Sequence, residues 1–172
     1  MIKQRRRTPE PLTLSVAKGF VAGVFGTGAM AGISTTIRRL AHPPGEIGKT
    51  HYEYVAEWAC QRIGYPPGEE SLDPALRCRL GETMHFTFGG LGGIALALAS
   101  RRLKRGPTAA AGLGLGTTMW IAAFGGYMPK LGITGGLRDW GNYERFRTFA
   151  AHAAYGTTSG LVLRALQRDA GE

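Results

Sequence analysis

The chain has 172 residues, one domain by length, and 44% of them are hydrophobic. Its 21 Lys and Arg outnumber 12 Asp and Glu, for a net charge of +9, but the positives stand in short blocks beside uncharged runs. They are not interleaved with aromatics, which excludes a recognisable nucleic-acid motif, and a mean hydropathy just below zero hides four segments without charge.

Residues 1–11 form a basic arm, with Lys3, Arg5, Arg6 and Arg7 ahead of Pro9 and Pro11. A signal peptide cleaved after Ala29-Met30-Ala31 is the alternative, and the glycines and Lys18 ahead of that site speak against it. The first uncharged run is Gly19 to Ile37, closed by Arg38 and Arg39. The second is Thr83 to Ser100, followed by Arg101, Arg102, Lys104 and Arg105. The third is Pro107 to Pro129, and the fourth is Thr148 to Leu163. A membrane span needs about 17–25 apolar residues, so the fourth run relies on tilt and on arginines reaching back to the headgroups. Much of the chain's glycine, 27 residues in all, lies inside these runs. In water each interior glycine costs a helix about 1 kcal/mol against alanine. In a bilayer, small residues form the packing surface instead. The expected fold is therefore an all-α membrane protein of four transmembrane helices, a single domain over 12–168 with a tail at 169–172.

The connection 40–82 is long and structured. Thr50-His51-Tyr52-Glu53 has the form of a capping box. Tyr52, Val55, Ala56, Ala59 and Ile63 then recur at helical spacing, opposite Glu53 and Glu57. This predicts an amphipathic surface helix over about 51–63, stopped by Gly64 and Pro66-Pro67. Asp73-Pro74 starts a further helix that runs on into the second span. Tyr52, Tyr54, Trp58, Tyr65, Tyr127, Trp140 and Tyr143 fall at or beyond one interface, as an aromatic belt does. The arm and the Arg101–Arg105 turn are densely basic, which puts both termini in the cytoplasm; Arg38 and Arg39 oppose that placement.

One pattern occurs twice, as His85-Phe86-Thr87-Phe88-Gly89 with Gly93, and as His152-Ala153-Ala154-Tyr155-Gly156 with Gly160. Positions i, i+4 and i+8 share a helix face, so each copy sets a histidine above a glycine groove. Two repeated hairpins, 12–105 and 107–168, are one way to read this. Gly23, Gly28, Gly32, Gly89, Gly93, Gly112, Gly116, Gly156 and Gly160 are the expected helix-packing positions. If the glycine faces of the second and fourth spans meet, His85 and His152 become neighbours. They are the candidate cofactor ligands, for a metal or for haem or another tetrapyrrole. A proton relay, or a hydrogen bond that sets helix register, remains open beside that. Cys60 and Cys78 are a candidate disulfide if their side is oxidising. His42, His51, Cys60 and Cys78 match no compact zinc pattern, and Ser, Asp, Glu and His form no triad, so no catalytic residue is assigned.

Several of these features together resemble the YagU-like bacterial inner-membrane proteins, a family of unknown function. They are the glycine-rich first span, Pro43-Pro44 with Ile47, the His-x-x-aromatic-Gly element, Trp120, and Pro129 with Gly132-Ile133. The resemblance implies a multi-pass fold in the bacterial inner membrane and no assigned reaction. The expected role is structural, as an accessory subunit or assembly partner that contacts membrane lipids and other membrane-protein subunits, and no nucleic acid. The alternatives are a small transporter or proton pathway through His85 and His152, and a haem- or chlorophyll-type pigment-binding subunit.

Overall fold

The glycine runs become helices that touch backbone to backbone. The computed structural model describes residues 10–41, 48–65, 72–102 and 108–168, and no strand occurs among the described residues. In chain order the elements are α1 (Leu12–Ala41), α2 (His51–Arg62), α3 (Pro74–Arg102), α4 (Ala109–Ala122), a π-helical turn (Ala123–Tyr127), the short α5 (Met128–Lys130) and α6 (Asn142–Arg168). The expected basic arm over 1–9, Pro43-Pro44 with Ile47, the Pro66-Pro67 stop, Lys104 with Arg105, and the tail 169–172 lie outside the described residues.

Of the four expected spans, α1 and α3 are long and apolar enough to cross a membrane. The other two do not stand out in the same way. α4 runs 14 residues before the π turn interrupts it. α6 is 27 residues long but carries Glu144, Arg145 and Arg147 near one end and Arg164 and Arg168 near the other. α3 starts where the sequence placed it, with Asp73 Oδ1 accepting the Leu76 N–H at 2.9 Å.

α1 packs between α3 and α6, and α4 packs on α6. Glycine makes both hairpins. Gly19 lies on Gly93, where an added methyl would come within 2.8 Å of the Gly93 carbonyl oxygen, and Gly23 abuts the Gly89 carbonyl. In the second hairpin Gly112 abuts Gly156, Gly116 abuts the His152 carbonyl, and Gly160 abuts the Thr108 carbonyl. The glycine faces of α3 and α6 therefore do not meet each other, because each is already filled by the partner helix of its own hairpin. Gly28 and Gly32 correct the expected packing set: nothing lies within 4 Å of a methyl added at either. At 3.6 residues per turn they are rotated about 140° and 180° from Gly23, away from α3. Gly26 meets Tyr155 and Ser159 of α6 instead.

Leu163, Tyr155 and Phe124 are buried, yet much of the interior is small and many large apolar side chains are exposed. Ala22, Thr27, Ala97 and Ser159 are wholly buried, while Phe25 (60% exposed), Phe88 (57%) and Ile121 (54%) face outward with Leu91 and Leu161. A helix in water turns its large apolar side chains inward; here much of the interior is small and the perimeter is apolar. The interior hydroxyls are satisfied locally: Thr27 donates to the Gly23 carbonyl at 2.9 Å and Ser159 to the Tyr155 carbonyl at 2.8 Å. Tyr155 OH crosses from α6 to the Gly89 carbonyl of α3 at 2.7 Å.

At one end of the bundle, α2 packs on α3, and its His51 side chain reaches α6. Its capping box forms, with the Glu53 carboxylate accepting the Thr50 N–H at 2.7 Å. Tyr52 packs on Gly81 of α3, where an added methyl would sit 2.9 Å from the Tyr52 carbonyl oxygen. Glu53 and Glu57 are not a free solvent face, because Arg77 of α3 reaches them at 3.4 and 3.1 Å. Ile63 ends the helix as its C-cap and is exposed. The expected disulfide is absent: Cys60 and Cys78 are free. Cys60 lies on the buried side of α2, whereas Cys78 turns along its own helix toward Glu82, 3.8 Å away.

Candidate functional site

A cavity of about 400 Å³ opens at this same end, between α1, α2, α3, α6 and the π turn. Its size is that of a small-molecule site. Met30, Met84, Met119 and Met128 all line it, and they are every methionine among the described residues. Flexible thioethers fill irregular apolar space and adapt to what enters it. Phe88, Phe124, Tyr127 and Tyr155 extend the apolar wall.

The π turn shapes one side. Its wider ring frees backbone groups from the α-helical ladder, and such turns recur at functional sites. Here the segment after α5 folds back onto the turn, where the Leu137 N–H donates to the Phe124 carbonyl at 3.1 Å, while the Ile133 N–H closes the end of α5 on the Met128 carbonyl at 3.0 Å. Gly132, with φ of +70°, makes the reversal. Phe124 is held against Trp140 (ring centroids 4.8 Å apart) and meets the His51 ring at 4.9 Å.

Three histidines line the cavity: His51, His85 and His152. His152 Nδ1 is 2.9 Å from the Thr148 carbonyl oxygen, an atom that only accepts, so Nδ1 carries the proton. His85 Nε2 is 3.3 Å from the Met30 sulfur, and its ring stacks on Tyr52 at 5.0 Å. The expected pair is therefore brought to one cavity, but not by glycine-face contact, and each ring is engaged by its own neighbour. Among the described residues no group of three or more His, Cys, Asp or Glu side chains is arranged to hold a metal ion. Bis-histidine ligation of a tetrapyrrole would need His85 to leave Met30.

His51 was not anticipated as a site residue, and neither was Arg147. Arg147 is 7% exposed. It donates through Nη1 to Ser34 Oγ at 2.6 Å and through Nε to Glu144 at 2.9 Å, with a second, short contact from Nη2 to the same carboxylate. His51 bridges this pair: Nδ1 lies 3.5 Å from Arg147 Nη2, and Nε2 lies 3.3 Å from Glu144 Oε1. A guanidinium only donates and a carboxylate only accepts, so the bridge calls for the neutral tautomer with its proton on Nε2. Burial first, and then the Arg147 charge, push His51 down to about 4, with Glu144 opposing and His152 and Arg38 adding to the fall. Burial alone would raise the Glu144 carboxyl, but the Arg147 hydrogen bond and charge hold it below its usual value. A signal was present in the sequence: Met84 and Met128 stand at the ends of their runs that fall on the same side as His85 and His152.

Compared with family models, curated proteins and solved structures, the chain matches none of them.

Proposed function

We propose that the chain is a four-span protein of the bacterial inner membrane, YagU-like, with both termini in the cytoplasm, and that its biochemical role is to bind an apolar small molecule at the outer end of the bundle. The methionine- and aromatic-walled cavity of about 400 Å³ carries this reading. A void of that size with apolar walls is stabilised by an occupant that removes those walls from water. The apolar perimeter supports the membrane setting, and α4 with its π turn and α5, together 22 residues over 109–130, is long enough for a third span. The exposed arginines of α6, Arg145 near one end and Arg164 and Arg168 near the other, are placed to reach the headgroups, while Arg147 is buried and paired with Glu144. An accessory-subunit role is the same reading at larger scale, with α3 and α4 offering apolar outer faces through Phe88, Leu91, Leu113 and Ile121 to lipid or to another subunit.

The test is native mass spectrometry of the protein released from mild detergent, beside binding of an uncharged solvatochromic dye. Occupancy should fall in Ala151→Phe, which fills the void from the α6 wall. Equal dye binding by wild type and the filled variant, with no retained ligand in either, would refute the binding role. A polypeptide that disperses in buffer without any amphiphile would refute the membrane setting.

A further inference from the structure

Among the described residues the cavity wall is charged in one sense only: Arg38 and Arg147 line it, and no Asp or Glu does. The two arginines differ. Arg147 is neutralised from behind by Glu144, which is not a lining residue. Arg38 donates to the Gly48 carbonyl, a neutral group, and no carboxylate pairs with it among the described residues. Burial is the main cause of the depressed His51, and Arg147 and, least, Arg38 add to the fall against the opposing Glu144. Trp58, about two helical turns from His51 along α2, adds a buried indole N–H to the lining with no acceptor among the described residues. Arg38 also sits in the last turn of α1, on the side where basic residues are disfavoured if the termini are cytoplasmic. A cation kept there against topology suits a ligand that needs it.

We propose that the occupant is an anionic amphiphile, whose carboxylate or phosphate head pairs with Arg38 at the rim while its apolar chain lies among Met30, Met84, Met119 and Phe124. This rests on the binding role proposed above and narrows it to one class. The Arg147–Glu144–His51 bridge engages the second lining guanidinium and leaves Arg38 as the charge available to the head. A guanidinium meets either oxyanion through paired N–H donors, so free fatty acids and single-chain lipid phosphates share the chemistry. A neutral amphiphile would forgo the charge-assisted hydrogen bond to Arg38.

Purified protein in an uncharged detergent is titrated with a long-chain fatty acid, the single-chain phosphate and the alcohol of equal chain length, and tryptophan fluorescence is followed. At least one anion should bind about tenfold or more tighter than the alcohol, as expected for a charge-assisted hydrogen bond worth 1.5 kcal/mol or more. Arg38→Gln should close that gap, and Arg38→Lys should keep most of it. A preference for carboxylate or for phosphate names the source of the head, and either result supports the proposal. Equal binding of acid, phosphate and alcohol overturns the anionic class while leaving the cavity reading intact. An unchanged gap in Arg38→Gln, in a variant whose helical circular dichroism matches wild type, also overturns it. Binding of none of the three, nor of the uncharged dye, removes both readings together.

Discussion

Gly23→Ala and Gly28→Ala add the same methyl five residues apart on α1, and the structure assigns them opposite outcomes. At Gly23 the new carbon overlaps the Gly89 carbonyl and lies 3.0 Å from the Gly90 Cα. Those neighbours are backbone, so no side-chain rotamer relieves the clash. α1 and α3 must separate, which also loosens Gly19 against Gly93. Overpacking of this kind costs about 1–3 kcal/mol. At Gly28 nothing lies within 4 Å, and replacing a helical glycine with alanine gains up to about 1 kcal/mol. The two variants should therefore differ by about 1–4 kcal/mol. Unfolding with sodium dodecyl sulfate in mixed micelles, followed by circular dichroism at fixed detergent concentration, measures the difference. Agreement of the two within about 0.5 kcal/mol, the usual error of such comparisons, would mean that the α1–α3 crossing is not as close as described.

Three further outcomes follow from named contacts. His51 titrates near 4 in the folded protein against about 6.5 unfolded; the unfolded chain thus binds the extra proton between those values, and stability is lost as pH falls through that window. The melting temperature should drop between pH 7 and pH 4.5, and His51→Gln should shrink the drop; an equal drop in the variant would contradict the neutral Arg147–His51–Glu144 bridge. Tyr155→Phe deletes the hydroxyl that spans α6 to Gly89 and should cost about 1 kcal/mol, checked by the same detergent unfolding. Thr50→Ala removes the α2 cap and should cost about 1 kcal/mol; because Trp58 rides on α2, fluorescence should report its loosening at lower detergent than circular dichroism reports for the bundle.

How much was legible in advance depended on how local the physics was. Thr50 and Glu53 cap α2 through atoms three residues apart, so the sequence contains the whole interaction. Asp73-Pro74 opens α3 for the same reason. The helical identity of the four uncharged runs was equally local, being a matter of composition and of charged ends. Glycines could be recognised as packing residues by type, but not by partner: Gly23 and Gly28 look alike in the sequence and differ in the structure because only the direction from α1 to α3 selects between them. The same lack of direction misled the pairing of glycine faces. The repeat suggested the two hairpins, but nothing in a linear pattern says that each glycine face is filled within its own hairpin, α3 by α1 and α6 by α4.

The sequence alone determined an all-helical chain with small residues where helices touch, because periodicity, capping and charge-free length act within a few turns. Tertiary structure decided the rest. The π turn after Ala122, the bridge of His51 across Arg147 and Glu144, and the gathering of four methionines and three histidines among the described residues around one cavity join residues up to about 120 positions apart. Such neighbours are set by how helices cross, and a crossing depends on both surfaces at once.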